Sequence, residues 1–252
     1  LYYCTMALYE DANCRLERDD AGVFVLTMLA GENQLNPAFL DSFHRCLDMV
    51  EGSTGPAALV TTSSSPKFFC NGADVKFLES VKADQSASDG FDRSMMRMLG
   101  RILSLPLPTV ACVTGHAFGA GFMLALAHDF RAARLDRGYL CANEVLIGMG
   151  VHIPPLRLFE CKMSKPAFQE TVLSGRRWDG KAGVQAGFLH AAVPEAELLP
   201  WALETAKKQV KLGAARDLNG WMKQQVFGRE IDLLLHPDLG IHLAPAFPRA
   251  RV

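Results

Sequence analysis

The chain has 252 residues, 49% of them hydrophobic and 21% charged, with a formal net charge of −1. That is enough apolar material for a sizeable core, in one large domain or a domain with an appendage. The near-zero charge excludes a global pull toward nucleic acid or an anionic membrane surface, and no apolar run reaches the roughly 18 residues of a spanning helix.

The seven cysteines show no CxxC spacing, and Cys46, Cys112 and Cys141 lie in apolar stretches. This reads as reduced, buried thiols of an intracellular compartment. The first six residues, LYYCTM, lack the basic start of a signal peptide. In chain order, residues 23–29 are apolar, β-branched and aromatic between turn residues, which predicts a strand. Asn36-Pro37 is a helix start, with Asn as N-cap and Pro at the first helical position. Phe39, Leu40, Phe43, Leu47 and Val50 then share one face until Gly52. Residues 57–62 form a short apolar strand, 63–66 a turn, and 67–74 a strand end running into a loop around Gly72. The polar stretch 84–92 reads as a mobile loop and 91–103 as a helix with Met95, Met98, Leu99 and Ile102 on one side.

The central stretch, 106–151, organises the rest. An apolar strand (109–114) meets a glycine turn, Gly115-His-Ala-Phe-Gly-Ala-Gly121, and an Ala/Leu/Met-rich helix over 121–128. A second strand follows, then Glu144 in apolar company and another glycine turn. Beyond it come a Pro-interrupted apolar segment (152–161), a helix over 164–173 with Ser164 as N-cap, a short helix over 179–186, and a strand over 189–193. From Glu195 the pattern becomes helical: Leu198, Ala202, Leu203, Ala206 and Val210 mark an amphipathic helix, with helix-like stretches at 219–227 and 231–235 before Pro237, Pro245 and Pro248. The boundary near Pro194 divides a mixed core, 1–194, from a helical C-terminal region, 195–252.

A strand that turns through glycines into a helix presents unpaired N–H groups able to hold negative charge. On the turn alone, a tight connection is an equally good reading. The turn fails the dinucleotide fingerprint, because Leu124 stands where a third glycine would be. Glu144 reads either as an exposed strand-end carboxylate or, if buried, as a base tuned toward neutrality. Asp74 and Asp129 read as capping or backbone-bonding groups and His116 as a structural histidine. No His or Cys spacing suits a metal.

Three segments in order, Phe68-Phe-Cys-Asn-Gly-Ala-Asp74, the stretch from Pro108 through Gly121 to Asp129, and Asn143-Glu-Val-Leu-Ile-Gly148, resemble the crotonase (enoyl-CoA hydratase/isomerase) family. Within it, the chain is most similar to plant-type peroxisomal Δ3,Δ2-enoyl-CoA isomerases. The resemblance runs from about Leu16 to Ala206; the C-terminal tail matches poorly. It implies an α/β fold, a spiral of ββα units whose helical C-terminal region packs in homotrimers or hexamers. It also implies an acyl-CoA substrate, with coenzyme A part of that substrate and no separate cofactor. Carried over residue by residue, the backbone N–H groups of Ala73 and Ala120 form an oxyanion hole, and Glu144 is the acid/base. Asn71, Gly72, Asp74, Met123 and Lys76 are expected to bind substrate, with Lys76 a candidate for the CoA phosphates; the lysines of 207–211 read first as a solvated helix face, contact with those phosphates being the alternative. Ala120 stands where family members often have Gly and still supplies an N–H. Met123 stands where family hydratases carry a second Glu. One carboxylate in a dry pocket suits moving a proton between two carbons, so the resemblance favours double-bond isomerisation over hydration. The alternatives are an enoyl-CoA hydratase or other acyl-CoA enzyme of this fold and, from a different class, a catalytically silent acyl-CoA-binding module. The end, Ala250-Arg-Val252, faintly resembles a peroxisomal Ser-Lys-Leu address, an ordinary tail being the simpler reading; cytoplasm and mitochondrion are the other compartments expected.

Overall fold

The structure is a computed structural model that describes residues 5–236; Pro237, Pro245, Pro248 and the Ala250-Arg-Val252 end lie outside the described residues. An antiparallel meander comes first among the described residues: β1 (Thr5–Glu10) and β2 (Cys14–Asp19), which periodicity did not disclose, and β3 (Val23–Met28), the strand expected over 23–29. Helix α1 (Pro37–Glu51) follows, and Asn36 caps it by accepting the Phe39 N–H at 3.0 Å. Its Phe39, Leu40, Phe43, Leu47 and Val50 are buried, as their spacing predicts.

Three strand–strand–helix units come next. β4 (Ala58–Ser63) and β5 (Phe68–Cys70) lead into α2 (Val75–Ser80) and α3 (Gln85–Ser104). β6 (Thr109–Val113) and β7 (His116–Phe118) lead into α4 (Ala120–Ala127). β8 (Phe130–Arg134) and β9 (Leu140–Cys141) lead into a 3-10 turn (Glu144–Ile147) and α5 (Ile153–Lys162). The first strand of each unit joins a seven-stranded sheet of order β1-β2-β3-β4-β6-β8-β10, parallel from β3 onward. The second joins a parallel three-stranded sheet, β5-β7-β9. The chain closes with α6 (Lys165–Ser174), α7 (Gly180–Gln185), β10 (Ala191–Val193), α8 (Glu195–Gln209) and α9 (Arg216–Leu235).

β4 and β6 are buried at every position because both faces of the large sheet are covered. Val60, Val110, Cys112 and Ala132 face α8, meeting Leu198, Ala202, Leu203 and Ala206. Leu59, Ala111 and Val113 point the other way, into the main core with α1 and α4. All eight residues of α4 are buried, as an all-apolar helix requires. Gly121 lets α4 start against β5: a Cβ there would come within 2.0 Å of the Cys70 carbonyl oxygen.

Three expectations are corrected. The stretch 84–92 is no loop: Asp84 accepts the Ala87 N–H at 3.0 Å and starts α3 at Gln85, so a polar sequence with a strong N-cap forms a helix whose far half packs. The 115–121 turn contains β7, since His116–Phe118 pairs between β5 and β9. Pro154 and Pro155 do not interrupt the 152–161 segment but occupy the first turn of α5, where no intrahelical N–H is required. The two C-terminal helix-like stretches are helical as expected, the two arms of α9 meeting at Phe227, whose backbone is not helical (φ −126°, ψ 16°).

Candidate active site

The pairing of β7 with β9 sets Phe118 opposite Cys141. Glu144, three residues further on, therefore arrives at the corner where β7 ends and α4 begins. That corner is Gly119, at φ +52° and ψ −121°, a conformation that excludes side chains. The absent side chain leaves room for the acid: a Cβ on Gly119 would stand 3.2 Å from Glu144 Oε1 and 3.6 Å from Asn143 Oδ1.

Two backbone amides bear on this corner. Ala120 is the first residue of α4, so its N–H has no partner within the helix; the Phe122 and Met123 N–H groups take the Gly119 carbonyl instead. Ala73 forms an isolated parallel bridge with Leu35, in which Leu35 N–H donates to the Gly72 carbonyl and Asp74 N–H to the Leu35 carbonyl, both at 2.8 Å. That alternation turns the Ala73 N–H to the opposite side, and among the described residues it donates to no backbone carbonyl. Gly72 joins the two segments: a Cβ there would lie 3.5 Å from the Ala120 nitrogen.

Glu144 Oε2 is buried and has no hydrogen-bond partner. Burial raises its carboxyl above the ordinary carboxylate range, opposed only by one backbone hydrogen bond. The residue as a whole is half-buried, so the acid has one enclosed oxygen and a path to solvent. The exposed-carboxylate reading is therefore set aside.

Among the other predicted residues, Asn71 donates to the Glu32 carboxylate at 2.8 Å. Asp74 caps α2, accepting the Lys76 and Phe77 N–H groups at 3.0 and 3.3 Å. Both side chains thus hold the Ala73 loop in place. Met123 is buried within α4, and Lys76 is exposed at the start of α2. Lys207 pairs with Asp19 and Lys208 with Glu204, at 3.6 and 3.5 Å. His116 packs among Phe68, Phe118 and Tyr139 and accepts the Tyr139 N–H. Asp129 accepts the Thr109 N–H and hydroxyl and pairs with Lys223 at 2.8 Å. The Cys70 thiol is pushed up to about 12 by burial, against activation.

Among the described residues no three His, Cys, Asp or Glu side chains are grouped to hold a metal ion, and no helix is long and apolar enough to cross a membrane. A cavity of about 580 Å³ opens along α1 and α3, lined by Asp41, His44, Arg97 and Arg101 among others. None of the residues around Glu144 lines it, and Arg101 is already held by Asp48 and Glu51. The Glu144 corner instead brings a buried carboxylate oxygen without a hydrogen-bond partner beside the start of α4. Two contributions escaped the sequence reading. Leu35 turns the Ala73 amide, a pairing of residues 38 positions apart that no local pattern signals. Asn143 Oδ1 lies beside the Gly119 gap, its signal in the sequence being its place at the head of the Asn143–Gly148 segment.

The arrangement can take a proton from carbon and hold the resulting negative charge. Comparison with known proteins points the same way. The enoyl-CoA hydratase/isomerase family profile matches residues 18–227. A peroxisomal enoyl-CoA delta isomerase 1 of Arabidopsis thaliana is 33% identical over 88% of this chain and 92% of its own length. A putative enoyl-CoA hydratase of Thermus thermophilus is 31% identical over 78% of this chain and 77% of its own. Among solved structures, an enoyl-CoA hydratase/isomerase family protein of Pseudomonas syringae superposes with a TM-score of 0.78 at 28% identity, covering 88% of this chain and 95% of that one.

Proposed function

The chain belongs to the enoyl-CoA hydratase/isomerase family, and from that premise we propose that it is a Δ3,Δ2-enoyl-CoA isomerase. The carrying observation is Glu144, whose Oε2 is buried without a hydrogen-bond partner, together with Met123, an apolar residue rather than a second carboxylate, in buried α4. Addition of water calls for a second group to bind and activate it; a proton shuttle between two carbons needs one acid/base. In this reading Glu144 removes a proton from C2 of a 3-enoyl-CoA. The Ala73 and Ala120 N–H groups hold the dienolate oxygen, each donor contributing about 3–4 kcal/mol by analogy with measured oxyanion holes. The protonated Glu144 then returns the proton to C4. Asn71, Gly72 and Asp74 fix the Ala73 donor, Met123 keeps the wall dry, and Lys76 meets the CoA phosphates. Coenzyme A enters with the substrate, and no separate cofactor takes part.

The exposed apolar residues of α9, Leu218, Trp221, Met222 and Val226, support self-association into trimers or hexamers through the C-terminal helices. The peroxisomal names of plant relatives support the same compartment here.

The test is to incubate the protein with a 3-enoyl-CoA and, separately, a 2-enoyl-CoA, and to resolve the products by mass. The expected result is a 2-enoyl product of unchanged mass from the first and no change in mass in the second. The second reading is a hydratase, favoured by the similarity to the Thermus relative; a product heavier by one water would establish it and displace the Met123 argument.

A further inference from the structure

We infer that Lys162 and Arg131 are positioning residues for the reaction: their charges answer the negative end of α4 and so leave its positive end, at Ala120, free to hold an oxyanion. The eight residues of α4 set its two ends about 12 Å apart. At the far end its carbonyls are met by donors. The His128 ring donates from Nδ1 to the Leu124 carbonyl at 2.8 Å, and the His128 backbone N–H to the Ala125 carbonyl at 3.3 Å. Arg131 Nη1 donates to the Leu126 carbonyl at 3.3 Å and to the His128 carbonyl, while its Nε donates to the Phe188 carbonyl at 2.7 Å. Lys162, the last residue of α5, donates to the same His128 carbonyl at 3.4 Å. Burial takes the His128 ring down to about 3 and keeps it neutral, so the positive charge at this end comes from Arg131 and Lys162.

Among the described residues neither cation is in an ion pair, because the Asp129 carboxylate at this corner is bound by Lys223 at 2.8 Å. Arg131 is 5% exposed, and the Phe227 ring lies 4.0 Å from Lys162 Nζ. Enclosing two cations without carboxylate partners lowers stability, and an apolar side chain at 162 would fill the space without that cost. What the charge does reach is the dipole of α4, where a cation at the C-terminus is favourable. Arg131 from β8, Asp129, Lys223 from α9 and Cys161 from its own helix act on Lys162, and His190 faces both Lys162 and Arg131. Burial takes Lys162 down to about 8 and Arg131 to about 10, and pushes Cys161 up to about 11. Of these three, Lys162 is the one that changes charge between pH 7 and 9.

The inference rests on the oxyanion role of Ala120 in the proposed reaction, and its test separates the two. Infrared spectra of hexanoyl-CoA labelled with ¹³C at the thioester carbonyl, a saturated compound that cannot be isomerised, read the field at the oxyanion position. Binding to the native protein should lower the carbonyl frequency; Lys162→Met should lose part of that lowering and Lys162→Arg should keep it. With a 3-enoyl-CoA at pH 7, Lys162→Met should lose about tenfold in kcat with KM held, the effect of one unit charge across about 12 Å at an effective dielectric constant of about 20. Native kcat should fall about fivefold from pH 7 to pH 9 as Lys162 loses its proton, and Lys162→Arg should show no such fall. A native carbonyl shift that Lys162→Met retains in full overturns the inference and leaves the proposed function standing. A native carbonyl that does not shift overturns both. A reduced shift in Lys162→Met without isomerase activity in the native protein upholds the inference and rejects the reaction.

Discussion

Glu144→Gln removes the proposed base while keeping its shape, and the structure gives two independent consequences. Turnover should fall by about 10²–10⁴-fold, the usual contribution of a positioned general base, with substrate binding little changed. Stability should move the other way. One oxygen of the native carboxylate is buried without a partner, a cost of about 1–3 kcal/mol for a polar group and more when charged. Burial raises the folded-state pKa of Glu144. Below the unfolded-state value, both states are protonated and the charge costs nothing; as pH rises through the unfolded and then the folded pKa, the folded native protein becomes progressively penalised. The Gln variant is therefore more stable than the native chain at neutral pH, by roughly 2–4 °C in Tm for each kcal/mol, and the gap closes as pH falls below about 4. Product analysis and thermal melts at pH 4 and pH 7.5 read both effects. Turnover within tenfold of native, or a variant less stable at pH 7.5, would refute the reasoning.

Met123→Glu places a carboxylate on the fully buried α4, so urea unfolding should show a loss of about 3 kcal/mol or more; if the variant stays folded, mass analysis with a 2-enoyl-CoA should reveal water addition. Gly119→Ala puts a Cβ 3.2 Å from Glu144 Oε1 at a backbone φ of +52°; kcat should drop more than tenfold, together with a melting shift of several degrees that measures the strain. Lys162 is held under the Phe227 ring at 4.0 Å near Arg131 and Lys223, and burial pushes its ammonium down to about 8. Lys162→Met should be more stable than native at pH 7, where folded and unfolded lysine are both protonated and the burial cost is complete. That advantage should shrink between pH 8 and about 10.4, the unfolded-state value; denaturant melts across that range would show it.

What the sequence disclosed follows the reach of its signals. α1 is legible because five apolar residues keep a helical period between a sound N-cap and Gly52. The inner strands are legible because strands covered on both faces, such as β4 and β6, read as short runs dominated by apolar and β-branched residues. The start of α3 over 84–92 resembles a loop in sequence because its first turns are polar and only partly buried, leaving the Asp84 cap as the indication of a helix. β7 was hidden because three residues between glycines carry no period, and its existence depends on β5 and β9 on either side. The candidate site divides in the same way. Glu144 could be singled out from its apolar neighbours, but that its carboxylate reaches Gly119 depends on the β7–β9 register. Ala73 could be carried over by resemblance, but the direction of its N–H depends on Leu35. Motifs thus name the groups that do the chemistry, while the aim of each group is set by pairings remote in sequence.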